Sequence, residues 1–484
     1  MFDFSPPLID WMTIAPLIAV ALTGLIALMV EVMMPKRTNG GIIGVSLVGL
    51  AVAGGLLINN LSMPNSETFS GMALRDHFGT LLQLLLVVTC GLSILFSEGY
   101  LREKRIPFGE FYPLLLWSTM GAMIMCMTRN LLMLFLGVEV LSISLYVLAG
   151  MSRSEERSEE SAMKYFLLGA FASAFLLFGI SFVYGATGTL QLASISEAWT
   201  SGGISSQALL LFGFGLIMVG LSFKSGFVPF HQWTPDVYQG APTNVTAFMA
   251  VGSKVAAIAA VWRVFEGFQI MSDYWIPIMS WVAILTMSVG NLIALLQKDV
   301  KRILGYSSIA HAGYILVAIL AHYKNPQAVG FNTVFYYLLS YALMTLGSFA
   351  VISLTAHSGR EGTMLSDLNG MWKRAPFAAA SLIVFMASLV GIPPTSGFVG
   401  KFLIFSDALQ AGLTPLAMVL AVNSIISVYY YVGIAHATVV AEEKRPGKSG
   451  RPTFGLNSTC LLCTVGVFGA AIFYSPLMNF LQGR

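Results

Sequence analysis

Polar and apolar positions along this chain alternate on a long wavelength. Runs of mostly apolar residues are divided by short segments holding Pro, Gly, Asn or charge. About 20 apolar residues in an α-helix cross the ~30 Å hydrocarbon core of a bilayer, and a helix satisfies its own backbone there. Fourteen such runs follow one another, at 14–33, 42–59, 79–97, 111–128, 131–150, 161–186, 207–228, 242–262, 275–297, 303–322, 331–356, 376–392, 415–437 and 457–480. The pattern predicts an all-α polytopic membrane protein. Two runs do not stop cleanly. The twelfth meets Pro393 and Pro394 and resumes as SGFVGKFLIFSDAL, while the seventh meets Pro229 and continues briefly toward Tyr238. Proline removes a backbone donor and clashes with the preceding turn, so helices 7 and 12 are expected to be broken inside the membrane.

Composition agrees. Of 484 residues, 56% are hydrophobic and only 10% charged, against about 25% charged in soluble chains. That excludes a soluble multidomain protein and a disordered one. Four cysteines (Cys90, Cys126, Cys460, Cys463) make no disulfide framework. Cys460 and Cys463 form a C-x-x-C inside CLLCTVGVFGA with no second pair; a metal or iron–sulfur site needs about four ligands, so they are read as packed thiols. No metal site is expected. A net charge of +3 does not suggest nucleic acid, and Asp3 and Asp10 ahead of the first run argue against a cleavable signal.

The placement of charge says more than its sum. With the N-terminus outside, inward loops carry Lys36, Arg37, Arg102, Lys104, Arg105, Arg153, Arg157, Lys298, Lys301, Arg302, Arg360, Lys373, Arg374, Lys444, Arg445, Lys448 and Arg451. The outward side holds only Arg75, Arg129, Arg263, Lys324 and Arg484. Cytoplasmic loops hold the excess of Lys and Arg, and an even span count then places both termini outside the cytoplasm.

Four cations remain, Lys164, Lys224, Lys254 and Lys401, all within spans. A charge at mid-bilayer costs about 2.5–3.5 kcal/mol on insertion scales. Lys164 lies close enough to its helix start to snorkel; the other three lie deeper or beside helix breaks. Glu139, in LFLGVEVLSISL, is the matching acid. Desolvation disfavours a charged amine and a nearby carboxylate restores it, so a lysine whose acidic partner approaches and withdraws takes up and releases a proton. Rows of such groups are the signature of proton or ion relays, and broken helices beside them are transporter features. His311, in YSSIAHAGYIL, is embedded among apolar residues as a candidate link. His231, in PFHQW, follows the first break and is a candidate for the way in from the cytoplasm.

The breaks share wording, KSGFVPF at the first and TSGFVGKF at the second. This points to two related halves, each with one broken helix; the expected architecture is two inverted repeats, 111–266 (helices 4–8) and 275–437 (helices 9–13), preceded by 1–110 with helices 1–3 and followed by 438–484 with a loop and helix 14.

The run GLSFKSGFVPFHQWTPDVYQGAPTNVTAFMAVGSK (220–254) resembles the antiporter-like subunits of bacterial NADH–quinone oxidoreductase, respiratory complex I. FLGVEVLSISLY, SAMKYFLLGA, KRILGYSSIAHAGY and GIPPTSGFVGKF match in family order and span most of the chain. WTPDVYQGAP is similar to one branch, the N-type subunits and their mitochondrial counterpart. The resemblance implies a proton relay coupled to quinone reduction elsewhere. Glu139 and Lys224 would be an ion pair, Lys164 an auxiliary lysine near Glu139, Lys254 the central lysine, Lys401 the terminal lysine, and His311 the link between the last two. It also implies no redox cofactor in this chain. FMN, iron–sulfur clusters and quinone would belong to partner subunits, and the membrane-arm neighbours would be an antiporter-like M subunit and small A, J and K type subunits in a bacterial inner membrane. The alternative is a subunit of a multisubunit cation/proton antiporter.

Overall fold

The computed structural model describes residues 9–33, 40–106, 109–439, 450 and 452–481. Asp3, Lys36, Arg37, Lys444, Arg445, Lys448, Arg451 and Arg484, used in the topology reading, lie outside the described residues. The apolar runs are helical. In order they are α1 (Trp11–Met33), α2 (Gly40–Leu61), α3 (His77–Lys104), α4 (Phe111–Met127), α5 (Leu131–Ala149) and α6 (Glu156–Thr187). A short α7 (Leu192–Thr200) leads to α8 (Gln207–Ser225), α9 (Trp233–Gly240), α10 (Thr243–Phe248), α11 (Lys254–Gly267), α12 (Ser272–Ala294), α13 (Val300–Lys324) and α14 (Asn332–Ile352). Then come α15 (Met371–Arg374), α16 (Pro376–Val390), α17 (Ser396–Gln410), α18 (Thr414–Val439), α19 (Phe454–Ile472) and α20 (Tyr474–Leu481). Among the described residues twelve helical stretches are long and apolar enough to cross a membrane, and α4 and α16 are shorter apolar helices. Together they reproduce the fourteen expected crossings in order.

Contacts between loops sort them into two ends. At one, the basic end, the C-terminus of α3, the α5–α6 loop, the start of α13 and a small hairpin, β3 (Ala356–His357) and β4 (Arg360–Glu361), meet through Lys104, Glu155, Lys301 and Glu361. At the other, Asp10 pairs with Arg75 of the hairpin β1 (Ser66–Thr68) and β2 (Ala73–Arg75). There too Arg263 pairs with Asp76, and Phe480 of α20 packs on His77. The first and last described segments thus lie at the same end.

The two expected breaks are present. Helix α8 stops at Gly226 (φ 76°) and α16 at Gly391 (φ 90°), a left-handed conformation that glycine reaches without a Cβ penalty. The bonds Val228–Pro229 and Pro393–Pro394 are both cis. Val228 is pinned by its N–H donating to Thr286 Oγ1 at 3.0 Å, and Trp233 Nε1 donates to the Phe223 carbonyl in the last turn of α8 at 2.8 Å. A third interruption was not expected. Met249–Ser253 wind as a π-helix immediately before Lys254, and such bulges are frequent at functional sites. The last run also divides, into α19 and α20, because Pro476 cannot donate and its ring opposes the carbonyl of Ile472.

Burial is uneven. The α10–α11, α13 and α14 segments are almost entirely enclosed by other helices, whereas α1, α2, α6, α12, α18 and α19 leave much of their apolar surface outward. The enclosed helices are those that carry Lys254 and His311.

Candidate functional site

In the first half, Lys224 sits in the last turn of α8, buried. Its ammonium donates to Ser142 Oγ at 2.7 Å and Tyr165 Oη at 3.0 Å, and lies 5.2 Å from the centre of the Tyr165 ring. The expected ion pair with Glu139 is not in contact. Glu139, on α5, instead accepts a hydrogen bond from Ser173 of α6. Ser142, Tyr146, Ser173 and Lys224 line a narrow cavity. Gly169 makes room for Tyr146, since a Cβ there would fall 1.9 Å from the Tyr146 hydroxyl.

Lys254, at the start of α11, donates to the Ser308 carbonyl of α13 and faces the Tyr341 ring, whose centre is 5.4 Å away. Tyr341 Oη donates to Ser308 Oγ at 2.9 Å. One turn along α13, His311 is held at both nitrogens, by Tyr337 Oη at Nδ1 (2.7 Å) and Tyr431 Oη at Nε2 (3.0 Å). A neutral imidazole has one donor and one acceptor nitrogen. It therefore donates to one tyrosine and accepts from the other, and reversing both bonds carries a proton across the ring. Lys401, on α17, reaches back over the break and donates to the carbonyls of Leu389 (2.8 Å) and Val390 (2.9 Å) at the end of α16. Carbonyls at a helix C-terminus carry partial negative charge, so the broken helix supplies the ammonium's counter-charge. Tyr314 lies under Lys401, its ring centre 5.4 Å from the ammonium, and touches His311.

Lys164 is placed elsewhere than beside Glu139. It is half-exposed at the basic end and pairs with Glu160 (2.7 Å) and Asp236 (3.0 Å). Asp236, on α9 just past the first break, is also gripped by Arg302 at 2.6 Å. Burial raises its carboxyl, but Arg302 and Lys164 outweigh this and hold it below the usual carboxylate range. These side chains line an open cavity of about 210 Å³. His231 is half-buried in the segment between α8 and α9, beside the exposed Pro229. Pro393 and Pro394 are exposed in the second break.

Deeper at the basic end, Glu361 accepts from Tyr100 Oη at 2.6 Å and from Thr243. Lys301 and Lys104 flank it at 3.7 and 3.8 Å. Burial raises this carboxyl too, yet the two lysines prevail and hold it below the usual range.

The reading of the residues missed Ser142, Tyr165, Ser173, Ser308, Tyr337, Tyr341 and Tyr431. One signal was available. In YSSIAHAGY, Ser307 or Ser308, His311 and Tyr314 recur at three- and four-residue spacing, a single helix face. The others become neighbours only through tertiary packing. The four cysteines are all buried and spread over α3, α4 and α19, which suits packing and not a shared ligand set. Among the described residues no three His, Cys, Asp or Glu are grouped to hold a metal.

The family described as NADH:quinone oxidoreductase/Mrp antiporter, TM, matches residues 128–427. A relative from Trichlorobacter lovleyi named NADH-quinone oxidoreductase subunit N is 40% identical over 474 residues, covering 97% of this chain and 96% of its own length. The chain belongs to the NADH-quinone oxidoreductase subunit N family. A second subunit N, from Chloroflexus aggregans, is 37% identical and covers 100% of this chain and 98% of its own. Among solved structures, a chain of respiratory complex I from Thermus thermophilus with bound aureothin superposes with a TM-score of 0.81 at 33% identity, covering 96% of this chain and 99% of that one. A chain of the Mrp complex from Dietzia shares the fold (TM-score 0.82) at 22% identity, covering 98% and 96%. As a subunit N family member with these spans, the protein is a multi-pass protein of the bacterial inner membrane.

Proposed function

We propose that this chain is a proton-translocating subunit of the membrane arm of NADH-quinone oxidoreductase, moving protons through a buried Glu/Lys/His relay while quinone is reduced elsewhere in the complex. The observation that carries this is the succession of titratable and hydroxyl groups from Lys254 through Ser308, Tyr341 and His311 to Lys401, buried among apolar helices and set beside helix interruptions. Lys224 with Ser142, Tyr165 and the Glu139–Ser173 pair forms the corresponding group in the first repeat, 111–266, and the second repeat is 275–437. The repeats correspond in having a broken fourth helix, each stopped by a glycine at positive φ. Five crossings in each repeat make the second inverted relative to the first. The basic end faces the cytoplasm, and both termini face away.

Each lysine cycles between charged and neutral forms as its surroundings change. For Lys401 the charged form is held by the α16 carbonyls, so a shift at the break releases or recaptures the proton. Asp236, Lys164, Arg302 and the segment around His231 form the cytoplasmic mouth, with Asp236 held ionised by its two basic partners. FMN, iron–sulfur clusters and quinone are bound by partner subunits. The M-type subunit and the small A, J and K type subunits are the membrane-arm neighbours, covering apolar faces that this chain leaves outward. Cation/proton antiport, the alternative, needs oxygen ligands for Na⁺; the buried set here is rich in lysine, which suits protons.

The test is proton uptake into inverted vesicles alongside NADH oxidation, for wild type, Lys254→Ala and Lys401→Ala at matched complex abundance. Both variants are expected to lower proton uptake more than assembly. If both keep the wild-type rate and proton-to-electron ratio, the lysines serve packing and the relay is wrong.

A further inference from the structure

Asp407 is an acid that the relay above does not use. It lies on α17 six residues beyond Lys401, about 9 Å further along the helix axis, toward the end of the bundle opposite the basic loops. Its side chain is buried, with 9% of the residue exposed. Thr333, in the first turn of α14, lies beside the carboxyl, and Oδ2 has no hydrogen-bond partner. Among the described residues no cation approaches it. A buried carboxylate without a counter-ion and with an oxygen left unpartnered is costly. A packing role alone does not need an ionisable group here, because Asn would fill the same space without a charge to bury. Acids kept at such positions within membrane helices mark ion or proton paths.

The seam between α14 and α17 connects this acid to the relay. The two helices run in opposite directions, and Tyr337, the partner of His311, lies against Gly400, where an added Cβ would come within 2.8 Å of its ring. Thr333 is one turn away from Tyr337 along α14 and meets Asp407. On α17, Ile404, between the two levels, is fully buried. Beyond Asp407 the helix ends at Gln410, an exposed residue whose carbonyl accepts from Asn325 at 3.3 Å. Asp407 therefore stands about one turn from water on one side and two turns from Lys401 on the other.

We propose that Asp407 is the release group of the relay, the last protein acid before the outer face. The proposal rests on Lys401 being a proton carrier. The ammonium of Lys401 loses a proton and becomes a neutral amine; the carboxylate of Asp407 gains it, through an intervening hydroxyl or water, and becomes a neutral acid. The acid then gives the proton to water at the end of α17 and returns to carboxylate, while Lys401 is reprotonated from the His311 side. No other reactant enters.

The experiment uses the whole complex in inverted vesicles, where uptake reports release on the outer face. NADH-driven proton uptake is measured at matched abundance for wild type, Lys401→Ala, Asp407→Asn, Asp407→Glu, Thr333→Val and the double variant Lys401→Ala/Asp407→Asn. Asp407→Asn is expected to fall to the level of Lys401→Ala, and the double variant to fall no further, since both act on one path. Asp407→Glu and Thr333→Val, which keep an acid, are expected to retain uptake. Wild-type uptake by Asp407→Asn while Lys401→Ala is impaired removes Asp407 from the path and leaves the lysine relay standing. Wild-type uptake by Lys401→Ala removes the relay itself. A loss in Thr333→Val equal to that in Asp407→Asn, or a double variant lower than either single one, assigns Asp407 to packing and overturns the proposal. Should Asp407→Asn not assemble, Asp407→Glu decides: retained uptake supports release through an acid, and failure assigns a packing role.

Discussion

Replacing Tyr337 by Phe removes one oxygen from the centre of the second half and leaves the ring that packs on Gly400. The missing hydroxyl is the partner of His311 Nδ1 at 2.7 Å, at a fully buried site. A buried polar group left without its partner costs about 1–3 kcal/mol. If that cost falls on the step in which His311 exchanges a proton, transfer through this subunit slows by about five- to 150-fold, at about 1.4 kcal/mol per tenfold. The loss is bounded by this subunit's share of proton uptake, a floor that Lys254→Ala defines. The assay is proton uptake per NADH oxidised in inverted vesicles at matched abundance. Tyr337→Phe is expected to lie between wild type and that floor, and Tyr337→Phe combined with Lys254→Ala to lie at the floor, because residues acting on one path are non-additive. Wild-type uptake by Tyr337→Phe, or a combined loss well below the floor, refutes a hydroxyl-mediated link at His311.

Three further outcomes follow from the same geometry. Lys224→Arg is expected to assemble yet lose this subunit's share of proton transfer, since guanidinium does not deprotonate in this range; normal pumping would show that Lys224 only balances charge. Glu361→Gln leaves Lys104 with Glu155 and Lys301 with the Ala241 carbonyl, so the cost at pH 7 is expected near the low end of breaking a buried pair, about 3 kcal/mol. Because the folded carboxyl is held below its usual range, the wild-type advantage is full above about pH 4.3 and is lost as pH falls through the folded value. Thermal unfolding of the solubilised complex is expected to separate wild type from variant at neutral pH and to converge in acid, and an equal gap at both pH values contradicts the assignment. A reporter fused after Arg484 is expected outside the cytoplasm and one in the 441–452 loop inside, and cytoplasmic activity from the C-terminal fusion overturns the orientation.

The chain of apolar runs, the two breaks and the identity of the buried lysines were legible in the sequence for one physical reason. A bilayer imposes a fixed thickness and a steep cost on each polar residue, so run length, Pro229, Pro393–Pro394, Lys224, Lys254 and Lys401 stand out one residue at a time. Partnership was not legible. Glu139 and Lys224 carry opposite charges and invite pairing, but packing of α5, α6 and α8 gives Glu139 to Ser173 and Lys224 to Ser142 and Tyr165. Lys164 is drawn to Asp236, a residue 72 positions away, because α9 folds back beside the start of α6 after the first break. The π-helix before Lys254 leaves no mark of Pro or Gly–Pro that would announce it. The tyrosines around His311 look like membrane bulk in one dimension. They become proton-bearing groups only when α13, α14 and α18 bring their hydroxyls within hydrogen-bond distance of one ring. A lone residue's cost in the membrane is local and readable, whereas the choice of hydrogen-bond partner depends on short-range geometry between segments far apart in the chain, which only the packed bundle sets.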